Sequence, residues 1–278
     1  MTTTRKPKVL IVGIDGCRPD ALQAAQTPNI DKLIGGGAYS FDAQTCALTK
    51  SGPSWASVLT GVWPDKHGVI NNSMAGERFD QYPHFFKRLR ELRPDLYTAS
   101  IVHWEPIHSQ IVSGADQSMA YPIDEEVTDA AVRLLAESRL DMLFLHFDDV
   151  DGAGHRNGYS AKAREYVDAI SQIDSYVGEI ITALSARPTY AQEEWLIVAT
   201  TDHGGSDVRG PEDKKYRHGD DVPEHRTVFL IISGDSTMTG RIEPAPVSVD
   251  IPPTILTHLG VEFDPAWGWE GHAVGLKS

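Results

Sequence analysis

An α/β fold built on a mainly parallel sheet follows from two patterns in the 278-residue sequence. Short apolar runs alternate with longer stretches of helical periodicity, the order expected of a sheet covered on both faces. Three of those runs, ending at residues 14, 147 and 200, are each followed closely by an aspartate: Asp15, Asp151 and Asp202. In open parallel sheets ligands bind beyond the strand C-termini, so the three acids would meet on one rim.

Taken in order, Val9-Leu10-Ile11-Val12-Gly13-Ile14 reads as the first strand. The run is too short for a signal-peptide core with a cleavage site, and far too short to span a bilayer. The chain is therefore expected to be cytoplasmic and without membrane contact. Thr27-Pro28 opens a helix as N-cap and first-turn proline, and Gly35-Gly36-Gly37 ends it. A helix follows Ser54, and another covers about 82–92 before Pro94. Residues 98–102 suit a strand, 125–137 a helix and 142–147 a buried strand. Over 160–184, Tyr166, Ile170, Ile173, Val177, Ile180, Ile181 and Leu184 recur at helical spacing. Residues 195–200 and 228–232 are further central strands, and 252–259 a late helix. No internal repeat or low-complexity tract interrupts a single domain over 1–278.

The formal net charge of −14, with no basic stripe, argues against stable nucleic-acid binding. An anionic substrate would have to be attracted locally, which bound divalent cations achieve. The two cysteines, Cys17 and Cys46, form neither a disulfide framework nor a CxxC site and read as reduced core thiols. Oligomeric state is not encoded in any pattern here.

Four motifs carry chemistry. Ser51, in Thr49-Lys50-Ser51-Gly52-Pro53, sits on a Gly-Pro turn just ahead of a helix, where a helix N-terminus favours an anion. A hydroxyl there is placed to attack a phosphate or sulfate. Asp202-His203-Gly204-Gly205 offers a hard oxygen and an imidazole in one turn, a mixture that suits zinc better than calcium or magnesium. Asp151 and His155 flank Gly152 and Gly154, a glycine-rich loop that folds tightly enough for both side chains to face one ion. Asp15 alone would read as a turn residue, and gains meaning only beside the others.

In this ordered set the chain resembles the alkaline phosphatase superfamily, most closely its nucleotide pyrophosphatase/phosphodiesterase branch. The resemblance runs over about 9–271. Its markers are Ile14-Asp15-Gly16, Thr27-Pro28-Asn29-Ile30-Asp31-Lys32-Leu33, the Ser51 turn, Leu59-Thr60-Gly61, Pro64-Asp65-Lys66-His67-Gly68-Val69, Asp151 with Gly154-His155, Thr201-Asp202-His203-Gly204 and Val249-Asp250-Ile251-Pro252-Pro253-Thr254-Ile255-Leu256. It implies an α/β/α sandwich of alkaline-phosphatase type with two zinc ions, manganese and iron being open for the same donors. One ion would take Asp15, Ser51, Asp202 and His203; the other would take Asp151, His155 and a late histidine. His218 matches best, with His225 and His272 as rivals. Asn72 matches the asparagine that holds a phosphate oxygen, with Asn71 as fallback. The implied reaction is hydrolysis of a small phosphate ester through a covalent phospho-Ser51.

Two features bear on substrate. In sulfatases the nucleophile turn carries an arginine where this chain has Trp55. A neutral indole facing the substrate would lean the site towards singly charged diesters over monoesters, while packing is the other account of Trp55. Trp104 and Tyr159 are placed to border a pocket that stacks a base or aryl group, again with packing as the alternative. Residues 73–122 are expected to form a small cap insertion near the site, leaving it open. A monoesterase or sulfatase of the same superfamily, and a non-catalytic anion-binding relative, are the competing functions.

Overall fold

The chain builds the expected elements in order and adds several. The computed structural model describes residues 5–112, 114–210 and 216–277. β1 (Lys6–Ile14) is followed by α1 (Pro19–Ala24), α2 (Pro28–Gly36) and β2 (Gly37–Gln44). Then come α3 (Ser51–Thr60), α4 (Pro64–His67), α5 (Phe85–Leu92), β3 (Tyr97–Val102) and β4 (Gln117–Ala120). The second half supplies α6 (Asp124–Leu135), β5 (Leu140–Phe147), α7 (Asp149–Asn157), α8 (Arg164–Ser185) and β6 (Glu193–Thr200). α9 (Pro223–Arg226), β7 (Thr227–Ser233), β8 (Gly240–Arg241) and α10 (Ile251–His258) complete the chain.

One eight-stranded sheet has the order β4-β3-β5-β1-β6-β7-β2-β8. β4, β3, β5, β1 and β6 run parallel, and β7 pairs antiparallel with both β6 and β2. β1 lies between β5 and β6, with Gly13 in register with His146 on one side and Thr200 on the other. Its side chains feed two cores. Leu10, Val12 and Ile14 face the α2, α6 and α8 layer, while Val9 and Ile11 face α3, α5 and α10. Burial on both faces is what continuous apolar strands predict. No helix among the described residues is long and apolar enough to cross a membrane.

Three expectations change. Residues 73–122 do not stand off as a cap. They supply β3 and β4 to the sheet, and α5 turns Phe85, Phe86 and Leu89 wholly into the core. The helix expected after Ser54 starts three residues earlier, at Ser51, because Pro53 in a first turn lacks only an N–H that has no intrahelical partner anyway. The glycine-rich loop around Asp151 is helix α7, in which Asp151 and His155 share a face through i,i+4 spacing. Gly154 is small for a packing reason instead: a Cβ there would lie 2.3 Å from the Tyr159 ring.

Candidate metal-binding active site

The site forms where β5, β1 and β6 end. Asp15 follows β1 and its N–H donates to the carbonyl of Phe147 at 2.9 Å, tying it to the end of β5. Asp202 and His203 follow β6, Asp151 stands in the first turn of α7 and His155 in its last. Gly16 makes the crossing possible. It adopts φ +63°, its N–H donates to Asp202 Oδ1 at 3.2 Å, and a Cβ there would lie 2.4 Å from Asp151 Oδ1.

Three oxygen donors surround one imidazole nitrogen, and Asp15, Asp151 and His203 group closely enough to share an ion. His203 Nε2 lies 3.4 Å from Asp15 Oδ1, 3.4 Å from Asp202 Oδ2 and 3.5 Å from Ser51 Oγ. Both carboxylate oxygens are buried without a hydrogen-bond partner. Ligands bonded at about 2.0 Å around a tetrahedral zinc stand roughly 3.3 Å apart, close to the separations of these three oxygens from His203 Nε2. A second cluster adjoins it: Asp151 Oδ2 lies 3.2 Å from His155 Nε2, and Asp151 Oδ1 lies 3.8 Å from His218 Nε2.

All three histidines are set up in the same way. His203 Nδ1 meets the carbonyl of Gly204 at 2.8 Å, His218 Nδ1 that of Thr49 at 2.7 Å, and His155 Nδ1 that of Tyr216 at 3.0 Å. A carbonyl only accepts, so each Nδ1 carries a proton and Nε2 is the nitrogen left to face the centre, the orientation a metal ligand needs. The rival histidines are elsewhere. His225 Nδ1 accepts the Asp220 N–H at 3.1 Å, and His272 is exposed beside Asp250.

The electrostatics point the same way. Burial and the neighbouring acids push the Asp15 and Asp202 carboxyls well above the usual carboxylate range. Burial drives His203 and His218 down. Asp151, opposed by burial but hydrogen-bonded to His155 and flanked by two further imidazoles, is held low, and its partner His155 is pushed up to about 9. A cation among these acids would reverse the shifts on Asp15 and Asp202.

Two of the three rings expected to face substrate do another job. Trp55 is fully buried and its Nε1–H donates to Asp15 Oδ2 at 2.8 Å; Tyr159 is fully buried and its hydroxyl donates to Asp151 Oδ1 at 2.7 Å. They cannot border a pocket, because α3 carries Trp55, and the bend after α7 carries Tyr159, beneath the acids they orient. Trp104, half-buried at the end of β3, keeps some exposed surface at the rim. His146 was not anticipated. Its Nε2 lies 3.1 Å from Asp15 Oδ2, so Trp55 and His146 hold one oxygen of Asp15 while the other faces the donors. A histidine inside the apolar run Leu143-Phe144-Leu145-His146-Phe147 was the available signal. Asn72, at the rim, accepts the Gly52 N–H on Oδ1 at 2.9 Å, whereas Asn71 Oδ1 caps its own turn by accepting from Ser73.

The chain matches the family model described as type I phosphodiesterase/nucleotide pyrophosphatase over two overlapping stretches, 9–113 and 93–248. It is 24% identical over 218 residues to bis(5'-adenosyl)-triphosphatase ENPP4 of Bos taurus, covering 71% of this chain and 47% of that protein. The chain thus spans about half the length of that relative. The fold is that of murine ectonucleotide pyrophosphatase/phosphodiesterase 5, with a TM-score of 0.76 at 14% identity over 96% of this chain and 97% of the other. An inactive variant of the same murine protein in complex with AMP gives 0.74 at 14% identity, over 97% and 98%. With most of its length matched by the family model, this chain belongs to the type I phosphodiesterase/nucleotide pyrophosphatase family of hydrolases.

Proposed function

We propose that this protein hydrolyses small phosphodiesters, nucleotide phosphodiesters among them, with Ser51 as the covalent nucleophile. The observation that carries the reading is the gathering of Ser51 Oγ and two orphaned carboxylate oxygens around His203 Nε2. AMP on the murine relative and the dinucleoside triphosphatase name of the bovine one support the substrate class.

Asp15, Asp202, His203 and Ser51 would hold one divalent cation, and Asp151, His155 and His218 a second. Bound there, the pair would lower the pKa of the Ser51 hydroxyl and offset charge on the entering and leaving oxygens. Ser51 Oγ gives up its proton and attacks phosphorus. The bond to the leaving alcohol breaks, and the alcohol departs with the electron pair and takes up a proton. Water then attacks the phospho-Ser51 phosphorus, the P–Oγ bond breaks, and Ser51 recovers a proton. Asn72 spends its Oδ1 on Gly52, which leaves its amide N–H groups to donate to a non-bridging oxygen. Trp55, His146 and Tyr159 hold Asp15 and Asp151 in place.

The test is turnover of bis-p-nitrophenyl phosphate, p-nitrophenyl phosphate and p-nitrophenyl sulfate with zinc, for the native protein and Ser51→Ala. The diester should be fastest, and the variant should lose at least about 10³-fold. Faster sulfate hydrolysis, or an active Ser51→Ala, would overturn the reading.

A further inference from the structure

His67 is wholly buried, lies outside both metal clusters, and has both ring nitrogens occupied. It closes α4, just before the loop that brings Asn72 to the nucleophile. The Val69 N–H donates to His67 Nδ1 at 3.1 Å. Nδ1 therefore carries the lone pair and Nε2 the proton, which faces Ser57 Oγ at 3.1 Å. The Ser57 hydroxyl in turn donates to the carbonyl of Pro53 at 2.8 Å. The three bonds run in one direction, from the loop to the first turn of α3, two residues beyond Ser51.

The loop touches that turn at a second place. Gly52 donates its N–H to Asn72 Oδ1, and a Cβ at Gly52 would lie 2.8 Å from the Asn71 carbonyl oxygen and 3.1 Å from Asn72 Cα. The loop's far end is fastened too. The Arg78 N–H donates to the His67 carbonyl at 2.8 Å, and Gly68, at φ +78°, packs against the Gly76 carbonyl. The loop therefore rests on α3 at Gly52 and is pinned from beneath by one imidazole in one tautomer.

We infer that His67 is a positioning residue, which holds Asn72 against the Ser51 turn through the Val69 N–H and the Ser57–Pro53 relay. This rests on the proposed phosphodiesterase reading for its kinetic consequence, though not for its structural one. Only the neutral imidazole serves. Burial and Arg78, against the pull of Asp65, push His67 down to about 4, so it keeps this form at neutral pH. A protonated ring would turn a second N–H against that of Val69.

Two replacements separate anchoring from space-filling. Asparagine puts Oδ1 where Nδ1 stands and keeps the acceptor for Val69. Glutamine fills more of the ring's volume and reaches Ser57, but cannot also meet Val69. The experiment measures kcat and KM for bis-p-nitrophenyl phosphate with zinc in His67→Ala, His67→Asn and His67→Gln. Each is repeated in an Asn72→Ala background, with hydrogen exchange followed over residues 68–74.

His67→Ala should lower kcat by about 10- to 100-fold with little change in KM, the cost of a misplaced group. Asparagine should restore kcat to within about threefold, and glutamine should not. In the Asn72→Ala background, removing His67 should cost less than about twofold, because the two act as one unit. Exchange over 68–74 should quicken in His67→Ala and Gln but not in Asn. Additive losses, or glutamine outperforming asparagine, would overturn the inference. If the native protein turns over no ester, the proposed function falls and exchange alone decides the anchor. Faster exchange in His67→Ala then supports it, and unchanged exchange overturns it.

Discussion

At the N-terminal end of the sheet, Lys8 and Arg187 are buried against Asp141 and Glu193, all four at most 4% exposed. Lys8 Nζ stands 3.1 Å from Asp141 and 3.2 Å from Glu193, and Arg187 makes a two-pronged pair with Glu193 at 2.9 and 3.0 Å. At the C-terminal end Asp15, Asp151 and Asp202 are buried too, yet no lysine or arginine among the described residues pairs with them. The consequences are opposite in sign. Arg187, Thr189, Trp195 and Lys8 overcome burial and hold Glu193 down at about 2, whereas Asp15 and Asp202 are pushed up. A buried acid that brings its own cation belongs to the framework. One that lacks it is waiting for a cation from outside.

The comparison breaks most sharply at Asp202. Asp202→Asn should cost about 10³-fold or more in diester turnover, the scale of a lost metal contribution. It should also raise the melting temperature of chelator-treated protein by about 2–4 °C, since roughly 1 kcal/mol of like-charge burial is relieved. Calorimetry showing a fall would mean the acids are paired within the chain after all.

Arg187→Met probes the other end. Stranding Glu193 should lower stability by about 3–5 kcal/mol in urea titrations and leave kcat/KM unchanged. A variant as stable as the native protein would deny the framework role.

The pH dependence separates the ends in one protein. Glu193 titrates near 4.5 unfolded and about 2 folded, so its contribution is complete above 4.5 and fades as pH falls towards 2. Asp15 and Asp202 titrate at 3.8 unfolded and well above it folded, so their penalty eases as pH falls from neutrality and vanishes below 3.8. Chelator-treated protein should therefore melt highest on the acid side of neutrality. Zinc should shift that maximum upward in pH, and melting curves that stay superimposed with and without zinc would contradict it.

The smallest change is Tyr159→Phe. Losing the hydroxyl that orients Asp151 should weaken zinc binding by about tenfold in competition with a fluorescent chelator, with stability altered by about 1 kcal/mol.

Much of this was legible in the residues because strand ends are local events. The apolar runs before Asp15 and Asp202 set the strands, and the acids follow within two residues of their ends. The strand β2 was not legible, since Gly37-Ala38-Tyr39-Ser40-Phe41-Asp42-Ala43-Gln44 has no apolar run, and pairing with β7 and β8 decides it. Residues 73–122 read as an insertion only through the resemblance to larger relatives, although α5 and β3 were themselves legible by pattern.

By itself, then, the sequence determined the strands β1, β3, β5, β6 and β7, the acids that follow them, the hydroxyl at the head of α3 and the histidine types near each acid. These depend on periodicity and on neighbours a few positions away. Only the tertiary structure decided that Trp55 and Tyr159 face inward to hold Asp15 and Asp151, that His146 shares the task, and that His218 joins the cluster ahead of His225 and His272. Those outcomes turn on contacts between residues 8 to 131 positions apart. Hydrogen-bond direction and burial, which set tautomer and ionisation, exist only once such distant segments have packed.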